Sequence, residues 1–188
     1  MHALSSVLVL AVTASCASSG SSPGPDIAPP SQRVVATDNQ TTYRTTVAPN
    51  AKSPVPAAPS RAFDAVRAVY DELGIPIATN DPATGRVGNT NFWKTRKLGS
   101  EALSTYVNCG DSFAGGSAAD NYRVYLSILS VVRPDGSGAS ELETAVSASA
   151  QNMEGTASDR ITCGTTGRLE ERIRQGVLRK VAGSTSPT

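Results

Sequence analysis

Two long stretches of this chain alternate apolar and polar residues, and they follow one another. In the first, Tyr122, Val124, Leu126, Ile128 and Val132 are interleaved with Arg123, Tyr125 and Ser127; in the second, Leu142, Thr144, Val146, Ala148 and Ala150 are interleaved with Glu141, Glu143, Ser147 and Ser149. A period of two puts every apolar side chain on one face of a strand. Pro134-Asp135-Gly136-Ser137-Gly138 between them is turn chemistry, so the pattern predicts a hairpin with one apolar face and one face able to meet water.

Toward both ends the spacing changes to three and four. Phe63, Val66, Tyr70 and Leu73 predict an amphipathic helix that Ser60 can cap and Gly74 can stop. Leu169, Ile173, Val177 and Val181 predict a last helix that starts at Thr165 or Thr166, carries Arg179 and Lys180 at its C-terminal end and finishes at Gly183. Between the first helix and the hairpin, Ile75 to Thr79 reads as a strand with Pro76 at an edge or strand start. Asn80 to Gly85 reads as a turn, and Arg86 to Phe92 as a return strand. Ser100 to Leu103 suits a helical turn, Thr105 to Cys109 a short strand, and Gly110 to Ala119 a loop. The expected fold is α+β: an antiparallel sheet of about five strands with N- and C-terminal helices on one face. The domain is expected over residues 61–183, with a disordered tail at 184–188.

The chain before this domain is of another kind. Val7 to Val12 is an apolar run too short for a bilayer span, followed by small residues and Cys16, which fits a secretory signal peptide over residues 1–16. From Ala17 to Ser60 lie eight of the twelve prolines among many Ser, Thr and Ala, a composition that cannot bury enough apolar surface to order itself and reads as a disordered linker. Arg33 to Ala36 and Thr41 to Val47 form a β-prone island in it. Two readings of the island stay open: solvated linker, or a strand for an exposed sheet edge.

Thr13-Ala14-Ser15-Cys16 resembles the bacterial lipobox, which implies diacylglycerol on Cys16 and a lipid-anchored (palmitate-bearing) mature chain. Thr13 stands where that motif favours Leu, and cleavage after Ala17 is the alternative. Of the remaining cysteines, Cys109 and Cys163 make an even pair in an exported chain, and the expectation is a structural disulfide. Two thiols without a third cysteine or a histidine are an incomplete metal site, and the spacing is not that of a redox Cys-x-x-Cys.

The stretch from Phe63 to Phe92, with its helix ending Leu-Gly-Ile, a strand, an Asp-Pro-Ala-Thr-Gly turn and a return strand, resembles the repeat of the BamC lipoprotein family of the outer-membrane β-barrel assembly machinery. Tyr122 to Val132, the Pro134-Asp135-Gly136 turn and the last helix follow the same order. The resemblance implies a helix-grip-like, non-catalytic module on the periplasmic face of the outer membrane that acts by binding proteins. This chain has one such domain where that family has two, and the cysteine pair departs from the family pattern. No functional residue is carried across.

The chemistry of the chain points the same way. Its one histidine is His2, inside the expected signal segment, so the mature chain has no imidazole for a Ser-His-Asp or Cys-His mechanism. Carboxylate pairs remain at Asp71-Glu72, Glu141 with Glu143, and Glu170-Glu171, each with a structural or solvated explanation. Gly164-Thr165-Thr166-Gly167 precedes a helix and could hold an anion, or simply approach and cap it. Phe92, Trp93 and Arg96 are the candidate binding residues, mixing aromatic and basic character; packing is the competing role for the two aromatics. A net charge of +1 gives no global field. The expected function is a non-catalytic envelope lipoprotein that binds another envelope protein, with no cofactor, no metal and no nucleic-acid partner. The alternatives are a secreted or envelope enzyme using carboxylates, and a cell-wall-binding module.

Overall fold

The computed structural model describes residues 52–153 and 160–183. The expected signal segment with Cys16, the proline-rich stretch up to residue 51 with its β-prone island, and the 184–188 tail lie outside these residues.

The first helix, α1 (Pro59–Leu73), buries Phe63, Val66, Tyr70 and Leu73 as its spacing requires. It starts earlier than Ser60: Pro59, whose fixed φ suits a first helical turn, follows Ala58 at the cap position. Gly74 ends it in the left-handed region with φ 66°, and the Ile75 N–H donates to Tyr70 O at 2.9 Å. That cap takes Ile75 into the core and delays the following strand. Pairing begins where the Ala78 N–H donates to Gly88 O, so β2 is Thr79–Asp81 and not Ile75 to Thr79. The Asp81 carboxylate then organises the turn, accepting from the amides of Ala83 and Thr84 and from the Thr84 hydroxyl at 2.6 Å. Gly85 closes it at φ 68°, where a Cβ would stand 2.0 Å from Val132 O.

Strand β3 (Arg86–Thr95) runs past Phe92. A small ribbon of β4 (Lys97–Leu98) and β5 (Glu101–Ala102) follows, and a 3-10 turn (Leu103–Thr105) takes the place of the helical turn expected from Ser100. Next come β6 (Val107–Asn108), a one-turn helix α2 (Ala118–Asn121), the long hairpin β7 (Arg123–Pro134) and β8 (Ser140–Gln151), β9 (Ile161–Thr165) and α3 (Arg168–Gly183).

The fold is α+β, and the terminal helices pack on the sheet. Its order is β2-β3-β7-β8-β9-β6, antiparallel throughout, with a further strand β1 (Ser53–Val55) on β8. The sheet therefore has seven strands, more than the five expected, and the two unforeseen ones are instructive. β1 lies in the proline-rich stretch read as linker up to residue 60. Three residues suffice there because Val55 is fully buried, Ala57 is nearly so, and Ser140 Oγ donates to Ala57 O at 2.6 Å. β9 occupies the stretch read as a flexible approach and helix start at Thr165. It is held extended from both sides, by Ala148 to Ala150 of β8 and by Val107 and Asn108 of β6, so the last helix waits until Arg168.

The register Val107 to Thr165 and Asn108 to Gly164 continues by one step to Cys109 opposite Cys163. These two form a disulfide with Cα atoms 4.2 Å apart, inside the 7 Å that bridging requires. Inward residues of β7 and β8 meet α1 and α3 in one core with Val66, Leu126, Ile128, Leu169 and Ile173. Gly176 lets the helices close on each other: a Cβ there would stand 2.8 Å from Val69 Cγ2.

Candidate functional site

The outer sheet face carries the side chains that alternation turns away from the helices. Across β3, β7, β8 and β9 one row is Trp93, Tyr125, Ser149 and Thr162, and the next is Thr95, Arg123 and Gln151. Trp93 owes its place to a β-bulge. Between Asn89, opposite Ile128, and Phe92, opposite Leu126, β3 advances three residues while β7 advances two. Val87 and Asn89 are inward before the bulge; without it odd numbers would stay inward and Trp93 would enter the core. With it, Phe92 is buried at 8% exposure and Trp93 stands out at 53%. Asn89 Oδ1 accepts from the Asn91 N–H at 2.9 Å and fixes the bulge from inside.

Two guanidinium groups flank the aromatics of this face. Arg123 Cζ lies 4.6 Å from the centre of the Trp93 ring, and Arg160 Cζ lies 3.6 Å from that of Tyr125. The Tyr125 hydroxyl donates to Gln151 Oε1 at 3.0 Å. Hydrogen bonding with Arg123, joined by the positive charges of Arg160 and Arg123, holds the half-buried Tyr125 phenol below the usual tyrosine range. The Arg123 Nε itself is buried without a hydrogen-bond acceptor.

The large apolar side chains that remain exposed among the described residues are Trp93, Phe113, Met153 and Ile161. All four lie toward the end of the sheet where β7 begins and β8 finishes, but Ile161, opposite the inward Ala150, and Phe113, bonded to the buried Tyr122, are not on the outer face with Trp93. Met153 lies two residues beyond Gln151, Ile161 pairs with Ala150, and the Phe113 amide donates to the hydroxyl of Tyr122, the residue before β7. Phe113, 96% exposed, sits on a loop tied down by its own bonds. Ser112 Oγ donates to Gly115 O at 2.7 Å, and Asn121 Nδ2 reaches Ser112 Oγ, Gly115 O and Ser117 O.

Of the three binding residues expected from sequence, the structure keeps only Trp93 on this surface. Phe92 faces the core, and Arg96 is an exposed residue with φ 64° in the turn from β3 to β4. Five of the six carboxylates considered for catalysis are engaged elsewhere. Glu72 pairs with Lys180, Glu141 with Lys52, Glu143 with Arg133 and Glu171 with Arg174, while Glu170 accepts from Thr165 Oγ1. Burial pushes the Glu170 carboxyl up, and the Arg174 bond pulls Glu171 down to about 2. Among the described residues no group of three His, Cys, Asp or Glu could hold a metal ion, and no helix is long and apolar enough to cross a membrane.

Arg123, Tyr125 and Arg160 were absent from the sequence reading of the site. Arg123 and Tyr125 were visible as polar steps in an alternating strand, but only the β3–β7 register brings them beside Trp93. Compared with family models, curated proteins and solved structures, the chain has no match.

Proposed function

We propose that this protein is a non-catalytic, protein-binding module of the bacterial cell envelope, tethered by an acylated Cys16 and docking its partner at the Trp93 end of the sheet. The observation that carries the docking surface is the meeting of Trp93, Arg123, Tyr125 and Arg160 on the outer sheet face. Aromatic residues, Met and Arg are the types enriched in interface cores, and Trp, Tyr and Arg dominate binding energy there. Strand pairing and the Cys109–Cys163 bridge hold the surface in place before a partner arrives, which lowers the ordering cost of association.

The tether rests on the lipobox-like Thr13 to Cys16 and the proline-rich stretch that follows. The BamC-like order of elements supports a binding role on the periplasmic face of the outer membrane.

The test of the surface is a photoreactive residue at Ser149, beside Tyr125, in the full chain in cells. It should give a discrete adduct with an envelope protein, and Trp93→Ala should remove that adduct. No adduct, or one indifferent to Trp93→Ala, overturns the assignment. For the tether, Cys16→Ala should release the protein from membranes, and an unmodified N-terminus by mass spectrometry would exclude it.

A further inference from the structure

Charge on the outer sheet face is sorted by position. At one end Glu141 and Glu143 are matched, by Lys52 at 3.5 Å and Arg133 at 2.7 Å. At the other end Arg123 and Arg160 both act on the Tyr125 phenol, and among the described residues neither has a carboxylate partner. Two guanidinium groups beside the exposed Trp93 and half-buried Tyr125 rings are a complement for a planar anion, because arginine meets carboxylates in a fixed fork while its flat face rests on an aromatic.

We infer that the partner contributes an acidic peptide segment, with a carboxylate seated between Arg123 and Arg160 beside Tyr125 and flanking apolar side chains against Trp93 and Met153. This rests on the docking surface proposed above and adds the chemistry of what docks. The exposed apolar side chains argue for peptide over saccharide: Trp93 and Met153 are 53% and 52% exposed, surface that leucine or phenylalanine side chains would cover. A guanidinium resting on a ring by its flat face keeps edge donors that can serve a carboxylate.

Trp93 is the chain's only tryptophan, so its emission reports this site without labelling. The probes are a blocked Leu-Glu-Phe-Glu-Leu peptide, its Leu-Gln-Phe-Gln-Leu counterpart, and polygalacturonate at matched charge. The Glu peptide should shift or quench Trp93 emission saturably. The Gln peptide should bind about tenfold more weakly, the scale of one charge-assisted hydrogen bond. Arg123→Gln and Arg160→Gln should each weaken the Glu peptide by a similar factor, and added salt should weaken it further. Equal binding of both peptides, equal binding of polygalacturonate, or no response to the Glu peptide overturns the inference. A Ser149 adduct that persists in Arg123→Gln and Arg160→Gln would leave the docking surface standing and remove only its acidic preference.

Discussion

Phe92 and Trp93 are neighbours in the chain and lie on opposite faces of the sheet, and the bulge between Asn89 and Phe92 decides which of them is buried. A strand alternates its faces at every residue, so one extra residue exchanges the roles of everything downstream. The docking surface therefore depends on a local backbone feature as much as on the residues that line it.

Asn89→Ala removes the acceptor that holds the Asn91 amide. It should cost about 1 kcal/mol, read as a lower urea midpoint. Deleting Thr90 is the stronger test. It removes the extra residue, so pairing becomes regular while Phe92 stays opposite the inward Leu126 and Trp93 opposite Tyr125. Trp93 emission and its quenching by acrylamide should therefore stay as in the parent chain; a blue-shifted, shielded indole would mean the bulge does not set the facing.

Tyr70 donates to or accepts from Ser130 Oγ at 2.9 Å, and Ser130 meets Thr144 Oγ1 at 2.7 Å, a buried polar chain that ties α1 to β7 and β8. Tyr70→Phe should cost about 1 kcal/mol in urea unfolding near neutral pH. The pH dependence has a definite sign. Burial raises the Tyr70 pKa far above the ordinary tyrosine value, against a smaller opposing effect of the Ser130 bond. A raised folded pKa gives stability that is complete below the unfolded value of about 10 and is lost as the pH climbs beyond it. The wild-type urea midpoint should thus fall between about pH 10 and 11.5 more steeply than that of Tyr70→Phe.

Gly176→Ala should destabilise even though alanine favours helices by about 1 kcal/mol. The new methyl group would sit 2.8 Å from Val69 Cγ2 on α1, and relieving that clash separates two packed helices at a cost of about 1–3 kcal/mol. Val69→Ala in the same chain should recover part of the loss, a coupling that a double-mutant cycle in thermal unfolding would measure.

Reduction of Cys109–Cys163, or Cys109→Ser with Cys163→Ser, opens a link across 54 residues. In the chain-entropy model this lowers stability by about 4 kcal/mol. The oxidised and reduced forms should differ accordingly in urea midpoint, and β9 amides should lose hydrogen-exchange protection first.

Val55→Ala should cost about 2 kcal/mol, since this fully buried side chain is the anchor of β1. A chain beginning at Lys52 should keep its unfolding midpoint, whereas one beginning at Ala58 should lose it by a comparable or larger amount. Thermal unfolding of the two truncations distinguishes a structured start at Ser53 from a linker that continues to Ser60.

The sequence by itself determined the two helices, the long hairpin and the side of each that is buried. Phe63 to Leu73, Leu169 to Val181, and Tyr122 to Ala150 repeat at periods that one apolar face alone explains. It also marked Cys109 and Cys163 as a pair, from their even number and the export expected from the N-terminal segment. Short elements were beyond it. Ser53–Val55 and Ile161–Thr165 have no pattern of their own and are strands only because β8 and β6 stand ready to pair with them. The site was beyond it for a related reason. Trp93, Arg123 and Arg160 are separated by dozens of residues, and their meeting over Tyr125 depends on cross-strand register and on one bulge residue. Local periodicity fixes which side of an element is apolar, but register is a relation between distant segments, set when the whole sheet closes on its core.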